Sequence, residues 1–336
     1  MPAGMTWTAE ITKKIEEMIA AGKTDHEISK EFDCDYRRIG RYRASIATMN
    51  SPGEKVSFTP PPHDHTIVIP DTQIGGDFPM TTCPDPITRD ESDYIIGVPL
   101  KTWVLSDSHI PFHERIVLEC GVREAKRFGV STIVINGDML DCLGLSSKFH
   151  RRPDDHTFNK ERELGTQFLK WLRQEFPKAR IIWKLGNHEE RLEKFLIEKA
   201  PEFFGMEEFT MKSMLECDDI GIEVVEDQRI IMVGKLPVLH GHEYQSGISA
   251  PVNPARGAFL RGVHNLLVGH SHQKSEHTSR TIVGKMISVW STGCCCNLKP
   301  RWKRYNQWNN GFAFVDVAID GEYSVINQTV INGVLR

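Results

Sequence analysis

Downstream of Lys101 the chain alternates short apolar runs with amphipathic stretches, and no other feature limits its fold as tightly. TWVLSD precedes RIVLECGVREAKRFG, TIVINGD precedes a long polar connection and ERELGTQFLKWLRQEFP, and RIIWKLGN comes next. Apolar runs separated by helical repeats fold as strands joined by crossover helices, which build a parallel sheet with both faces covered. Ligands of such sheets gather at the carboxyl ends of the strands. The last third is richer in strands, in GIEVVED, RIIMVGKLPVLHG, NLLVGH, KMISVWSTG, GFAFVDVAI and YSVINQTVING. Both halves fit one α/β class, a layered sheet sandwich flanked by helices.

Five of these runs end in side chains that bind metals. They are Asp107 and His109 in VLSDSHIP, Asp138 and Asp141 in VINGDMLD, Asn187 and His188 in KLGNHEER, His240 and His242 in VLHGHE, and His270 and His272 in LVGHSH. A single strand-end histidine is an ordinary structural residue, but five such segments in one chain are hard to obtain by chance. Oxygen and imidazole donors without thiolate suit Mn²⁺, Fe or Zn²⁺, and a carboxylate able to bridge is what a two-metal centre needs. A sixth run, IVIPDTQI at 67–74, echoes WVLSDSHI at 103–110 but ends in Asp71 and Gln73. WVLSDSHI meets the Gly-Asp motif after 31 positions (138 minus 107), the strand-helix-strand length that a parallel crossover needs. The metal is therefore expected on Asp107 and His109, with Asp71 and Gln73 closing an extra strand.

The ordered set D-x-H, GD-x-x-D, GNHE, HG and GHSH resembles the calcineurin-like metallophosphoesterase superfamily over roughly residues 100 to 275. The resemblance implies two divalent metal ions, Mn²⁺ foremost, with Fe, Zn²⁺ or Ni²⁺ as other candidates. It implies that Asp107, His109, Asp138 and His272 hold one ion, that Asp138, Asn187, His240 and His270 hold the other, and that Asp138 bridges them. In VLHGHE either histidine is a possible ligand, and the family pattern and the strand end favour His240. By the same resemblance His188 serves the leaving group and Asp141 hydrogen-bonds His188, while Arg191, three positions on from His188, is a candidate phosphate clamp with a helix-surface arginine as the alternative. Protein phosphatases of the superfamily carry arginines where this chain has Cys142 and Leu185. That departure brings the chain closer to phage and bacterial phosphoesterases and to the nuclease subunits of DNA repair complexes.

The first 48 residues read differently. WTAEITKKIEEMIA places Ile11, Ile15, Met18 and Ile19 at helical spacing before Gly22, and TDHEISKEF opens with a capping box from Thr24 to Glu27. DYRRIGRYRASIA faces Ile39 and Tyr42 inward and Arg37, Arg38, Arg41 and Arg43 outward, so the segment resembles a helix-turn-helix module that contacts DNA. Residues 49–100 read as a linker with an extra strand, and 101–336 as the metallophosphoesterase domain. A net charge of -4 excludes coating of nucleic acid by bulk electrostatics, so contacts must be local. Two segments qualify, SSKFHRRPDDHTFNK and NLKPRWKRYNQWNNGF, in which lysine and arginine alternate with aromatic rings. No run is apolar enough for a signal peptide or a membrane span, which makes a cytoplasmic protein the expectation. Eight cysteines show no zinc or disulfide spacing, and Cys294, Cys295 and Cys296 read as small buried residues after a strand. The leading expectation is a metal-dependent phosphodiesterase acting on nucleic acid, DNA foremost. The alternatives are a small-molecule phosphatase or cyclic or dinucleotide phosphodiesterase, and a DNA-binding regulator with a structural metal.

Overall fold

The computed structural model describes residues 9–32, 39–40, 42–43, 92–146, 157–243, 252–301 and 303–336. Arg37, Arg38 and Arg41, and the stretch containing Asp71 and Gln73, lie outside the described residues. The chain divides into two compact units, Met1–Pro84 and Asp85–Arg336.

In the first unit, α1 (Ala9–Ala20) ends at Gly22, whose φ of 77° lets Lys23 N–H return to the Met18 carbonyl and Gly22 N–H to that of Ile19. In α2 (Asp25–Glu31) the capping box is present, with the Thr24 hydroxyl accepting from Glu27 N–H and the Glu27 carboxylate from Thr24 N–H. Ile15, Ile28 and Ile39 are fully buried together, against Ile11, Met18, Ile19 and Tyr42. Arg43 turns inward, its Nε donating to Asp25 Oδ1 at 2.8 Å and its Nη2 to the Lys23 carbonyl.

The second unit opens with β1 (Tyr94–Ile96) and β2 (Leu100–Leu105), followed by α3 (Arg115–Phe128), β3 (Thr132–Asn136), α4 (Phe158–Glu175), β4 (Arg180–Lys184), α5 (Glu190–Lys199) and β5 (Ile222–Val225). A strand-rich half follows: β6 (Ile231–Val233), β7 (Leu236–Leu239), α6 (Pro254–Gly262), β8 (Leu266–Val268), β9 (Ser275–Arg280), β10 (Met286–Ser291), β11 (Gly311–Val317), β12 (Tyr323–Ile331) and β13 (Val334–Leu335). One sheet has the order β13-β12-β11-β2-β3-β4-β5, with β2 to β5 parallel; the other has the order β1-β6-β7-β8-β10-β9. This is the α/β layered sandwich flanked by helices that the alternation predicts.

Alternation along each central strand sorts its side chains into two cores. Val104, Val134 and Ile182 pack between the sheets against Val233, Val238 and Leu267. Trp103, Ile133, Ile135 and Trp183 point the other way, onto Val117 and Leu118 of α3 and Leu169 and Leu172 of α4. All five residues of β3 are buried, as a strand covered on both faces requires. The sequence boundary at Lys101 falls inside this unit, because Tyr94–Ile96 pair in parallel with β6. Among the described residues no helix is long and apolar enough to cross a membrane.

Candidate metal centre

Loops at the carboxyl ends of β2, β3, β4, β7 and β8 carry the five polar segments, and these ends converge. Five of the side-chain carriers adopt left-handed backbone: Asp107 (φ 56°), His109 (46°), Asp138 (50°), His270 (63°) and His272 (57°). Each such non-glycine residue costs of order 1–3 kcal/mol, and strain gathered at one point marks a functional site. The motif glycines answer a related constraint. At Gly137 (φ 81°) a Cβ would strike the His240 ring, and at Gly186 it would strike the backbone nitrogen and Oδ1 of Asp138. Gly186→Ala is therefore expected to lower stability by about 1–3 kcal/mol through overpacking and to weaken metal binding with it. Thermal melting with and without Mn²⁺ checks this, and an unchanged Mn²⁺-induced shift would refute it.

Asp138 is the hub. Its Oδ2 lies 3.2 Å from His240 Nε2 and 3.8 Å from both His109 Nε2 and His188 Nε2, while its Oδ1 accepts from His188 N–H at 2.9 Å. Asp107 Oδ1 lies 3.1 Å from His272 Nε2, and Asp107 Oδ2 accepts from His270 N–H at 2.9 Å. His109 Nε2 and His272 Nε2 face each other at 3.1 Å. Asp138, His240 and His270 form one group with ligand atoms close enough to share an ion, and His109, Asp138 and His188 form another. The structure thus brings His240 into the cluster. His242 is instead held by Glu190, whose Oε1 lies 2.7 Å from its Nε2.

The donor set fits divalent cations. Asp107 Oδ1, Asn187 Oδ1 and His240 Nε2 are buried without a properly angled hydrogen bond, a costly arrangement unless something else satisfies them. Their neighbours fix their orientation, as the outer partners of metal ligands do. The Asn136 carbonyl accepts from His240 Nδ1 at 2.7 Å, and Asp141 Oδ1 lies 3.0 Å from His109 Nδ1.

Asp141 serves two imidazoles. Its carboxylate is nearer His109 than His188, whose Nδ1 is 3.5 Å away, and it is the Asp141 backbone carbonyl that accepts from His188 Nδ1 at 2.7 Å. Arg191 donates to the same carbonyl at 2.7 Å, and its Nη2 lies 3.0 Å from His188 Nε2. A guanidinium can only donate, so this contact uses the Nε2 lone pair of a neutral ring. Burial lowers the His188 pKa, but Asp138 and Asp141 outweigh it and leave the group above its usual range, with Arg191 opposing them.

Three contributors were not read from the sequence. Glu189, fully enclosed, accepts from the backbone N–H groups of Asp138, Leu140 and Gly186 at 3.0, 2.9 and 2.8 Å, tying two ligand loops together. Burial and the charge of Asp138 push its pKa up to about 7. Its only signal was its place inside GNHE. Trp308 packs on the His272 ring with centroids 4.0 Å apart. Cys296, buried with Cys294 and Cys295, places its sulfur 3.8 Å from His272 Nδ1. Cys142 is fully buried and Leu185 packs against the helix-side core, so neither position offers a cation to substrate.

No protein-family model and no curated protein matches the chain. Solved structures similar to it include a single mutant of Vps29 from Entamoeba histolytica, at 12% identity over 70% of this chain and 96% of that one, with a TM-score of 0.36. They also include the phosphoesterase Yfce from E. coli, at 12% identity over 68% and 98% with a TM-score of 0.32. A dimetal phosphatase from Danio rerio is similar at 11% identity over 68% and 99%, with a TM-score of 0.33.

Proposed function

We propose that the chain is a divalent-metal-dependent phosphoesterase that hydrolyses phosphodiester bonds in nucleic acid, DNA foremost. One observation carries this reading: the carboxylates of Asp107 and Asp138 and the imidazoles of His109, His240 and His272 crowd together at strand ends with unsatisfied donor atoms. The calcineurin-like resemblance assigns the same residues to two ions. Asp107, His109, Asp138 and His272 would hold one, and Asp138, Asn187, His240 and His270 the other. Bound there, two such cations would supply Lewis-acid polarisation and a water acidic enough to attack at neutral pH.

The chain's own residues do the rest. Arg191 is the cation nearest His188 and is placed to take a phosphoryl oxygen. Moving onto that oxygen, it vacates His188 Nε2. The ring, held by the Asp141 carbonyl through Nδ1, then takes a proton from solvent on the freed Nε2, a charged form that Asp138 and Asp141 favour, and passes that proton to the leaving oxygen. The absence of the phosphatase arginines at Cys142 and Leu185 supports a diester over a phosphoprotein. The N-terminal helical unit is proposed as an accessory DNA contact through Arg37, Arg38 and Arg41, since Arg43 is engaged with Asp25.

A substrate panel tests the reading. With Mn²⁺, the protein is expected to hydrolyse a chromogenic diester faster than a monoester and to cut DNA. Turnover of the monoester alone would favour the small-molecule phosphatase, and no turnover of any substrate would favour a structural metal.

A further inference from the structure

The segment Asn297–Asn309 is a surface beside the metal centre that the chemistry above does not use. Its base is fixed. Asn297 N–H donates to the Phe112 carbonyl at 2.9 Å, and Asn309 N–H donates to the carbonyl of His272 at 3.0 Å. Trp308 lies on the His272 ring, and Asn306 Nδ2 donates to the carbonyls of Leu298 and Lys303 at 2.8 and 2.7 Å, pinning the two arms of the turn together. Lys299, Arg301, Lys303 and Arg304 are exposed, no acidic residue occurs between 297 and 309, and the Lys303 ammonium sits 5.5 Å from the Trp308 ring centre. Tyr305 stands at the turn 97% exposed. It is three residues from Trp308, so their Cα atoms are within about 11 Å of each other.

An almost fully solvated aromatic ring among cations is a poor structural element and a good stacking platform. Cations take phosphates while the ring takes a base face. A duplex hides its base faces inside the stack, so a ring on the surface can be used only by an unpaired base. Resting on the nucleic-acid reading above, we propose that Lys303, Arg304 and Tyr305 bind a single-stranded segment of nucleic acid and feed it to the metal centre across Trp308. The preferred substrate is then a single strand or a frayed end, and intact duplex is a poor one.

The test uses the full-length protein. Fluorescence anisotropy with a labelled oligothymidylate, run on the Asp138→Asn protein so that no cutting intervenes, is expected to show tighter binding than to a hairpin duplex of equal charge. Adding Tyr305→Ala should weaken the single-strand complex about tenfold, the scale of one base-aromatic stack, and Tyr305→Phe should restore it. Lys303→Glu with Arg304→Glu should weaken it further and flatten its salt dependence. Equal affinity for strand and duplex, or no effect of Tyr305→Ala, would overturn the proposal. Cutting of DNA by the unmutated protein reports separately on the nuclease reading. Cutting that persists while Tyr305 proves silent sinks this inference alone, whereas hydrolysis of the chromogenic diester with no cutting or binding of any nucleic acid sinks both.

Discussion

Asp138→Asn is expected to reduce diester hydrolysis at least about 10³-fold, equivalent to roughly 4 kcal/mol of transition-state stabilisation. The substitution preserves shape, so its effect isolates charge. Asp138 Oδ2 is the atom nearest His240 Nε2, at 3.2 Å, and it lies within 3.8 Å of His109 and His188. An amide lacks the charge with which Asp138 would hold cations, and an NH₂ facing either His240 Nε2 or the His188 N–H adds an unfavourable contact. Metal content measured by mass spectrometry should therefore fall together with turnover. His188→Ala is expected to separate the two, retaining metal while losing about 10²–10⁴-fold in rate as a group that handles a proton. If the Asp138→Asn protein keeps both its metal and its turnover, the ligand assignment is wrong at its centre.

The candidate ligands were legible because the polar residues that converge are written at strand ends. The parallel strands of the first sheet and the interior of the second are apolar runs, and each abrupt polar residue after such a run stands out. Asp107, Asp138, Asn187, His240 and His270 were all visible in this way. Strand β9 was not: SEHTSR carries no apolar periodicity, because it is an edge strand whose residues alternate only between half-buried and exposed. The partners that orient ligands were equally hidden. Nothing in the sequence says that Glu189 caps two loops, that Asp141 turns its carboxylate to His109, or that Trp308 returns to His272 from 36 residues away (308 minus 272). Those contacts depend on how loops close over one another, a tertiary fact with no local pattern. The same limit explains Arg43, whose outward position on a helical wheel could not show that Asp25 would claim it.

Metal affinity is expected to climb steeply with pH. Two of the four candidate imidazoles in contact with Asp107, Asp138 or each other are held protonated in the metal-free protein. Burial alone would lower them, but Asp138 and Asp107 raise His240 to about 10, and Asp107 raises His272 to about 10. His270, lowered to about 4 by burial and by its neighbour His240, is already neutral, and His109 is also shifted down by burial and by His188. His240 belongs to one proposed ion set and His272 to the other, so filling the site would displace about two protons at neutral pH, about one for each cation. Apparent affinity for each cation should then rise about tenfold per pH unit between pH 6 and 8, and about a hundredfold for the two together. Stability of the metal-free protein runs the other way. A histidine pKa raised in the folded state contributes fully below about 6.5, its unfolded value, and that contribution is lost as pH climbs toward 10. Asp107 and Asp138, despite burial, are held below their usual range by these same imidazoles, so their contribution is lost only as the solution becomes acidic. Raising the pH from 6.5 thus loosens the empty site while favouring the filled one, and the gap in melting temperature between them should widen. Calorimetric titration with Mn²⁺ in two buffers of different ionisation enthalpy counts the protons directly. Release of none, with affinity flat from pH 6 to 8, would mean that His240 and His272 are not ligands.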